Sequence, residues 1–200
     1  AGAIAVITDL TEQKRIESQQ RFLAEVADVL ASSLDCETTL DNIVNLAVRD
    51  IADICVVYTF DERHEIRRSR AVSRNSEKKW ICDFLLAETS FDKLSQISLA
   101  SVVNRKVPLL IKHISSDMIN AVAHSDKYLS ALRAAEIESY ILVPLINRGE
   151  SIGAISFIAT SSSRAFEQHD LHLAEALAQR ATIAIANAQL HAKTLQAQEI

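Results

Sequence analysis

The sequence predicts an α/β (α+β) fold: a central antiparallel sheet of five or six strands, helices on both of its faces, and a long helix at each end. Three observations carry this. Two pairs of β-rich segments, residues 54–60 with 65–73 and 140–146 with 151–159, are each joined by a short polar turn, as in a hairpin. Segments of helical period lie between the pairs. At both ends apolar residues recur at seven-residue spacing.

Taken in order, Gly2-Ala3-Ile4-Ala5-Val6-Ile7 is a β-branched run that reads as a strand, and the chain changes character at Thr8-Asp9-Leu10-Thr11. Residues 12–33 are good helix formers, with Ile16, Leu23 and Leu30 in heptad register and Phe22, Val26 and Val29 widening the apolar face. After the break at Asp35-Cys36-Glu37, where Asp35 offers a cap, a second helix carries Leu40, Ile43, Leu46 and Ala47 on one face. The first hairpin turns at Asp61-Glu62-Arg63-His64. Helices follow near 78–86 and 97–104, then a short strand at 107–111 and an irregular polar stretch from 115 to 125 of the kind that often forms a binding loop. A helix near 127–135 leads to the second hairpin, turned by Asn147-Arg148-Gly149-Glu150, in which Pro144 argues for an edge or bulged position. From Glu167 to at least Ala197 one long helix repeats Ala174, Leu177, Ala181, Ala184, Ala188, His191 and Leu195 in steps of three and four, an alanine-rich heptad seam. Leu171, Leu173, Ile183 and Ile185 lie off that seam and are expected to cover a sheet face. Glu167 is a poor cap, but Asp170 suits the helix dipole.

Composition narrows the function. The chain has 200 residues, 48% of them apolar, ample for a core. A net charge of -5 with interspersed signs provides no positive field for a phosphate backbone, so nucleic acid is not an expected partner. The apolar runs are too short for a bilayer, and neither direct membrane contact nor a leader is expected. Three widely spaced cysteines, Cys36, Cys55 and Cys82, indicate neither a disulfide framework nor a zinc site, and fit a cytoplasmic setting. The three glycines cannot be combined into a phosphate-binding loop.

Several polar groups invite a functional reading. His113, His124 and Tyr128 flank the 115–125 stretch and offer polar or haem contacts, although solvation is the commoner role of such histidines. His169 and His172 are spaced for a metal but lack a third ligand, and no metal is expected. Arg67, Arg68, Arg70, Arg74, Lys78 and Lys79 form either an anion site or, the favoured reading, a charged edge strand that resists sheet-to-sheet pairing. Cys55 and Cys82 stand in apolar runs where burial is the ordinary state, so no catalytic residue is assigned. The heptad stripes nominate Ile16, Leu23 and Leu30, with Leu177, Ala181, Ala184 and Ala188, as the helices of a parallel homodimer.

From about Arg21 to Leu190 the sequence resembles the GAF domains of bacterial sensor histidine kinases. The likeness rests on Phe22-Leu23-Ala24-Glu25 with Ser33-Leu34-Asp35, on Thr39-Leu40 and Ala52-Asp53-Ile54-Cys55-Val56-Val57, and on Ser139-Tyr140-Ile141-Leu142-Val143-Pro144-Leu145 with Arg148-Gly149 and Ile152-Gly153-Ala154-Ile155. It continues through Leu173-Ala174-Glu175 and Arg180-Ala181 to Ala186-Asn187-Ala188-Gln189-Leu190. Residues 1–11, followed by Glu12-Gln13-Lys14-Arg15-Ile16-Glu17, resemble the end of a PAS domain and its exit helix. The resemblance implies a signalling helix over 12–34, a GAF body over 35–166 and an exit helix over 167–200. It further implies a non-catalytic sensory role, in which an unidentified small molecule is bound and its state is relayed through helices to an output domain of the same polypeptide. Trp80 and Phe84 fall where the wall of the GAF pocket would stand, and His124 and Tyr128 complete the expected pocket. Bilin-attaching GAF domains place a cysteine before the histidine that precedes this tyrosine; here His124-Ser125 stands instead, and no covalent bilin is expected. Two alternatives accompany this reading: a ligand-free dimerisation and relay module, and a cysteine-based redox enzyme.

Overall fold

The computed structural model describes residues 2–61, 63, 65–88, 99–123, 125–161 and 164–198. The chain begins with a helix, α1 (Gly2–Ala31), and a second, α2 (Cys36–Asp50), follows. Strands β1 (Ile54–Phe60) and β2 (Ile66–Ser73) come next, then a 3-10 turn (Ser76–Lys78) and helices α3 (Lys79–Glu88) and α4 (Leu99–Arg105). After β3 (Leu109–Ile111) come α5 (Ser116–Val122), α6 (Asp126–Ala134), β4 (Ile137–Asn147), β5 (Glu150–Thr160) and α7 (Gln168–Gln198).

The two hairpins join through β1 and β5, giving a five-stranded antiparallel sheet in the order β2-β1-β5-β4-β3. Successive strand residues point to opposite faces, and both faces are covered. Cys55, Val57, Ile141, Val143, Ile155 and Phe157 pack under α1, α2 and α7, whereas Ile54, Val56, Tyr58, Leu142, Ala154 and Ile158 pack under α3 and α4. That double cover explains why every residue of β1 is buried. Among the described residues no helix is long and apolar enough to cross a membrane.

Local chemistry sets the joints. Asp35 caps α2, its carboxylate accepting from the Thr38 N–H at 2.7 Å. Arg148 and Gly149, with φ of 52° and 85°, make the tight turn between β4 and β5, whose twist suits a hairpin. Pro144 lies in β4 just past the point where β3 ends, since Leu109 faces Leu142, and one step before an irregularity between Leu145 and Ile146. Its missing N–H therefore costs the sheet little. The start of α7 is held by Asp170, which is buried and accepts from the Glu167 N–H at 2.7 Å while pairing with Arg164. Burial opposes ionisation of Asp170, but Arg164 and that N–H outweigh it and hold the carboxyl below its usual range.

Three expectations from the sequence need correction. Residues 2–7 are not a strand but the first turns of α1. Strand propensity is a weak preference, and an unpaired strand leaves its backbone groups unmatched, whereas a helix satisfies them internally. The stretch 115–125 is not irregular, because Ser115 caps α5 through the Met118 N–H and Ser125 caps α6 through the Tyr128 N–H. Serine at both positions reads as loop composition, yet it is also the preferred helix cap. The third correction concerns the alanine seam. Ala174, Leu177, Ala181 and Ala188 are fully buried in their own chain and Ala184 nearly so, in the core shared with α1 and α2. Small side chains let helices approach closely, and here the approach is intramolecular.

Cys36 and Leu40, at the start of α2, line one small cleft with Thr59 of β1 and with Ile185 and Gln189 of α7.

Candidate functional site

The sheet face under α3 and α6 carries a cluster of aromatic and hydroxyl groups. Alternation along the strands puts Tyr58 (β1), Tyr140 (β4) and Ser156 (β5) on this face; Val56 and Leu142 flank Ser156 in register. Tyr140 interacts with the Tyr58 and Tyr128 hydroxyls and hydrogen-bonds Ser156. Burial, then the neighbouring tyrosines, drive its pKa far up, only partly offset by the Ser156 bond, so the phenol stays neutral. Yet Tyr140 keeps some accessible surface. This face therefore gathers aromatic rings and a few convergent hydroxyls beside a tyrosine that solvent still reaches.

Two of the expected pocket residues meet here. The rings of Phe84 on α3 and Tyr128 on α6 lie 5.4 Å apart, tilted by 38°, and the Lys127 ammonium sits 5.8 Å from the Phe84 centroid. Trp80 does not join them. It is 43% exposed, because α3 turns Ile81, Cys82 and Leu85 to the core and leaves Trp80 outside. His124 lies outside the described residues. Tyr58, Tyr140 and Ser156 were missed from the sequence, although the alternation in β1, β4 and β5 placed all three on one face. The signal lost among apolar strand residues was the few hydroxyls on a face otherwise filled with aliphatic side chains.

Several of the remaining candidates are structurally occupied. Arg70 pairs with Glu37 and with Asp41, the latter at 3.0 Å, and Arg74 donates to the Val48 carbonyl at 2.7 Å and pairs with Asp53. Arg70 and Arg74 thus tether the edge strand β2 and the turn after it to α2. His113 contacts Glu138 at 2.9 Å, His169 contacts Arg164 and Asp170, and His172 contacts Gln168. Among the described residues no group of three His, Cys, Asp or Glu side chains is placed to hold a metal. The cleft shared by α2 and α7 offers about 10 Å³, room for one water at most.

Cys55 and Cys82 are buried, and burial raises both thiols; Cys82, with Asp83 beside it, is pushed up to about 11. Neither supplies a thiolate at neutral pH. Thiol labelling at pH 7.5 is therefore expected to modify the half-buried Cys36 alone, with the other two reacting only on unfolding. Since both folded-state pKa values lie above the ordinary value, their contribution to stability is complete below about pH 8.5 and declines as the pH rises toward 11. Rapid modification of Cys82 at pH 7.5 would contradict the burial.

The profile of the GAF domain family matches residues 33–186, most of the chain. The chain belongs to the GAF domain family. Among solved structures, this GAF domain is similar to that of a phosphoenolpyruvate-protein phosphotransferase from Coxiella burnetii, with a TM-score of 0.63 and 17% identity over 88% of this chain and 96% of that one. The GAF domain of the Acinetobacter phosphoenolpyruvate-protein phosphotransferase gives 0.61 and 18%, covering 86% and 95%. A domain assigned to a two-component sensor histidine kinase of Sinorhizobium meliloti 1021 gives 0.50 and 16%, covering 80% and 94%. At these identities the likeness establishes the fold. No curated protein matches the sequence significantly. GAF domains are regulatory modules of signalling proteins, generally without catalysis of their own, and this chain is one of them.

Proposed function

We propose that this GAF domain is the sensory module of a bacterial signal-transduction protein, most simply a cytoplasmic sensor histidine kinase, that binds a small molecule against the tyrosine-bearing sheet face and relays its state through α1 and α7 to an output domain. One observation carries the reading: β4 serves both layers. Tyr140 and Leu142 belong to the tyrosine-bearing face, while Ile141, Val143 and Leu145, the residues between and beyond them, pack in the core that includes α7. A ligand that displaces Tyr140 strains the same strand on which the exit helix rests. Ser139 reinforces the link, donating to the Ile111 carbonyl at 2.8 Å and accepting from the Phe166 N–H at 3.0 Å, just before α7 begins. A ligand shifts the output only by the difference in its affinity for two states, and β4 is where that difference would act.

In the parent protein a PAS domain precedes residue 12. That reading rests on the likeness of residues 1–11 alone, and within this chain those residues extend α1.

Ligand-free relay is the second reading, and the Tyr140–Ser156 hydrogen bond favours it, because the Tyr140 hydroxyl already has a partner within the domain. Native mass spectrometry, compared with the mass under denaturing conditions, separates the two. A small extra mass lost on denaturation, and reduced in Tyr140→Ala, is the expected result. A bare mass in the presence of cell extract metabolites would overturn ligand binding in favour of relay alone.

A further inference from the structure

Helices α5 and α6 sit lightly on the domain. Among the described residues α5 buries none and α6 only Leu132, whereas α2 buries seven. The two are tied to each other, the Arg133 guanidinium donating to the Asn120 side-chain carbonyl at 3.0 Å. Segments with so few buried apolar groups open at the lowest free energies in a fold. The pair stands on two feet. At the first, the Ile114 N–H donates to the Glu138 carbonyl at 2.9 Å, and His113 meets the Glu138 carboxylate. At the second, the Glu136 carbonyl accepts from the Ser161 N–H at 2.9 Å. Strand β4 is irregular between Ile137 and Ser139, and an irregularity of that kind lets a strand bend.

Ser139 stands where both feet meet the approach to α7. It has no exposure, and its hydroxyl works in both senses, donating to the Ile111 carbonyl at the end of β3 and accepting from the Phe166 N–H. Lys112, the next residue after β3, pairs with Glu167, the next after Phe166. If Ile111 and Phe166 moved apart, a buried polar group would be left without a partner, a larger penalty than the loss of an ordinary hydrogen bond. Phe166 in turn packs in the core shared with α1, α2 and α7. We infer that α5, α6 and the start of α7 move as one unit joined at Ser139, so that a displacement of the α5–α6 pair is delivered to α7. Ser139 is the positioning residue of this joint. The inference rests on the reading of α7 as the path to an output domain, and gives that path a second input.

Native-state hydrogen exchange of the full 200-residue chain in increasing urea tests the joint. The amides of Ile114, Ser161 and Phe166 should converge on one opening, at lower free energy than the β1–β5 ladder. Ser125→Ala, which removes the cap of α6, should speed exchange at Phe166 several-fold. In a Ser139→Ala background the same change should still speed exchange within α6, but leave Phe166 where Ser139→Ala alone puts it. A role for Ser139 in stability alone would speed every amide together and leave the effect of Ser125→Ala at Phe166 intact. Separate openings for Ile114 and Phe166, or an unaltered Phe166 in Ser125→Ala, would overturn the inference. Should Ser139→Ala not fold, the urea series on the wild type and on Ser125→Ala decides it. Native mass spectrometry reports ligand binding independently, so a bare domain with a common opening keeps the joint and loses the ligand.

Discussion

Gly153→Ala is expected to destabilise the domain by about 3 kcal/mol or more, enough to unfold much of it at 37 °C. Gly153 sits in β5 between Thr59 of β1 and Leu145 of β4. A Cβ there would stand 2.2 Å from the Tyr58 carbonyl oxygen and 3.1 Å from a Leu145 methyl. A side chain could turn aside, but the oxygen belongs to the backbone of the neighbouring strand β1, and moving it disrupts the β1–β5 ladder itself. Gly149→Ala supplies the comparison. That residue has φ of +85° and open space around it, so alanine there meets only left-handed strain, about 1–2 kcal/mol. Urea denaturation followed by circular dichroism measures both. Equal costs for the two variants would mean that the close approach at Gly153 does not constrain the sheet.

The second large effect is at Leu177. With no exposure and neighbours from α1, α2 and the sheet, Leu177→Ala should cost about 3 kcal/mol, within the usual 2–5 for such a cavity. The same change at exposed Ile183 should alter the stability of the monomer by no more than about 0.5 kcal/mol. Thermal melts at a concentration where the chain is monomeric make the comparison. A Leu177→Ala variant as stable as wild type would place Leu177 at a surface and revive the alanine seam as an interface between copies.

That reversal shows where sequence reading reached its limit. The hairpins were legible because their alternation and the Arg148-Gly149 turn are local, and β1 was bounded to the residue. Helices α2, α3, α4, α6 and α7 were legible from period and caps. Which face of α7 turns inward was not, since two apolar lines run along it and period alone cannot say which meets its own sheet. Alanine is small enough to serve a tight intramolecular contact as well as a coiled coil, and the larger Ile183 proved to be the one left outside. For the site, the aromatic pairing of Phe84 with Tyr128 depended on two helices separated by about forty residues of chain and followed only from the family resemblance. Trp80 failed by one helical position: a step of about 100° separates a wall residue from an exposed one. Tyr140 and its neighbours needed strand register, which hydropathy does not carry.

The unbroken course of α7 has a consequence for anything attached to its end. Thirty-one residues form one rod of roughly 46 Å, whose first half is clamped to the sheet and whose last turns are mostly exposed to solvent. Such a rod fixes azimuth as well as distance. One residue inserted after Ala188 would swing every downstream group around the axis by about 100°, four would bring it back to within about 40°, and seven to within about 20°. The spacing between this domain and whatever follows it is therefore a phase, and changes in linker length should be tolerated in sevens and fail in ones and twos.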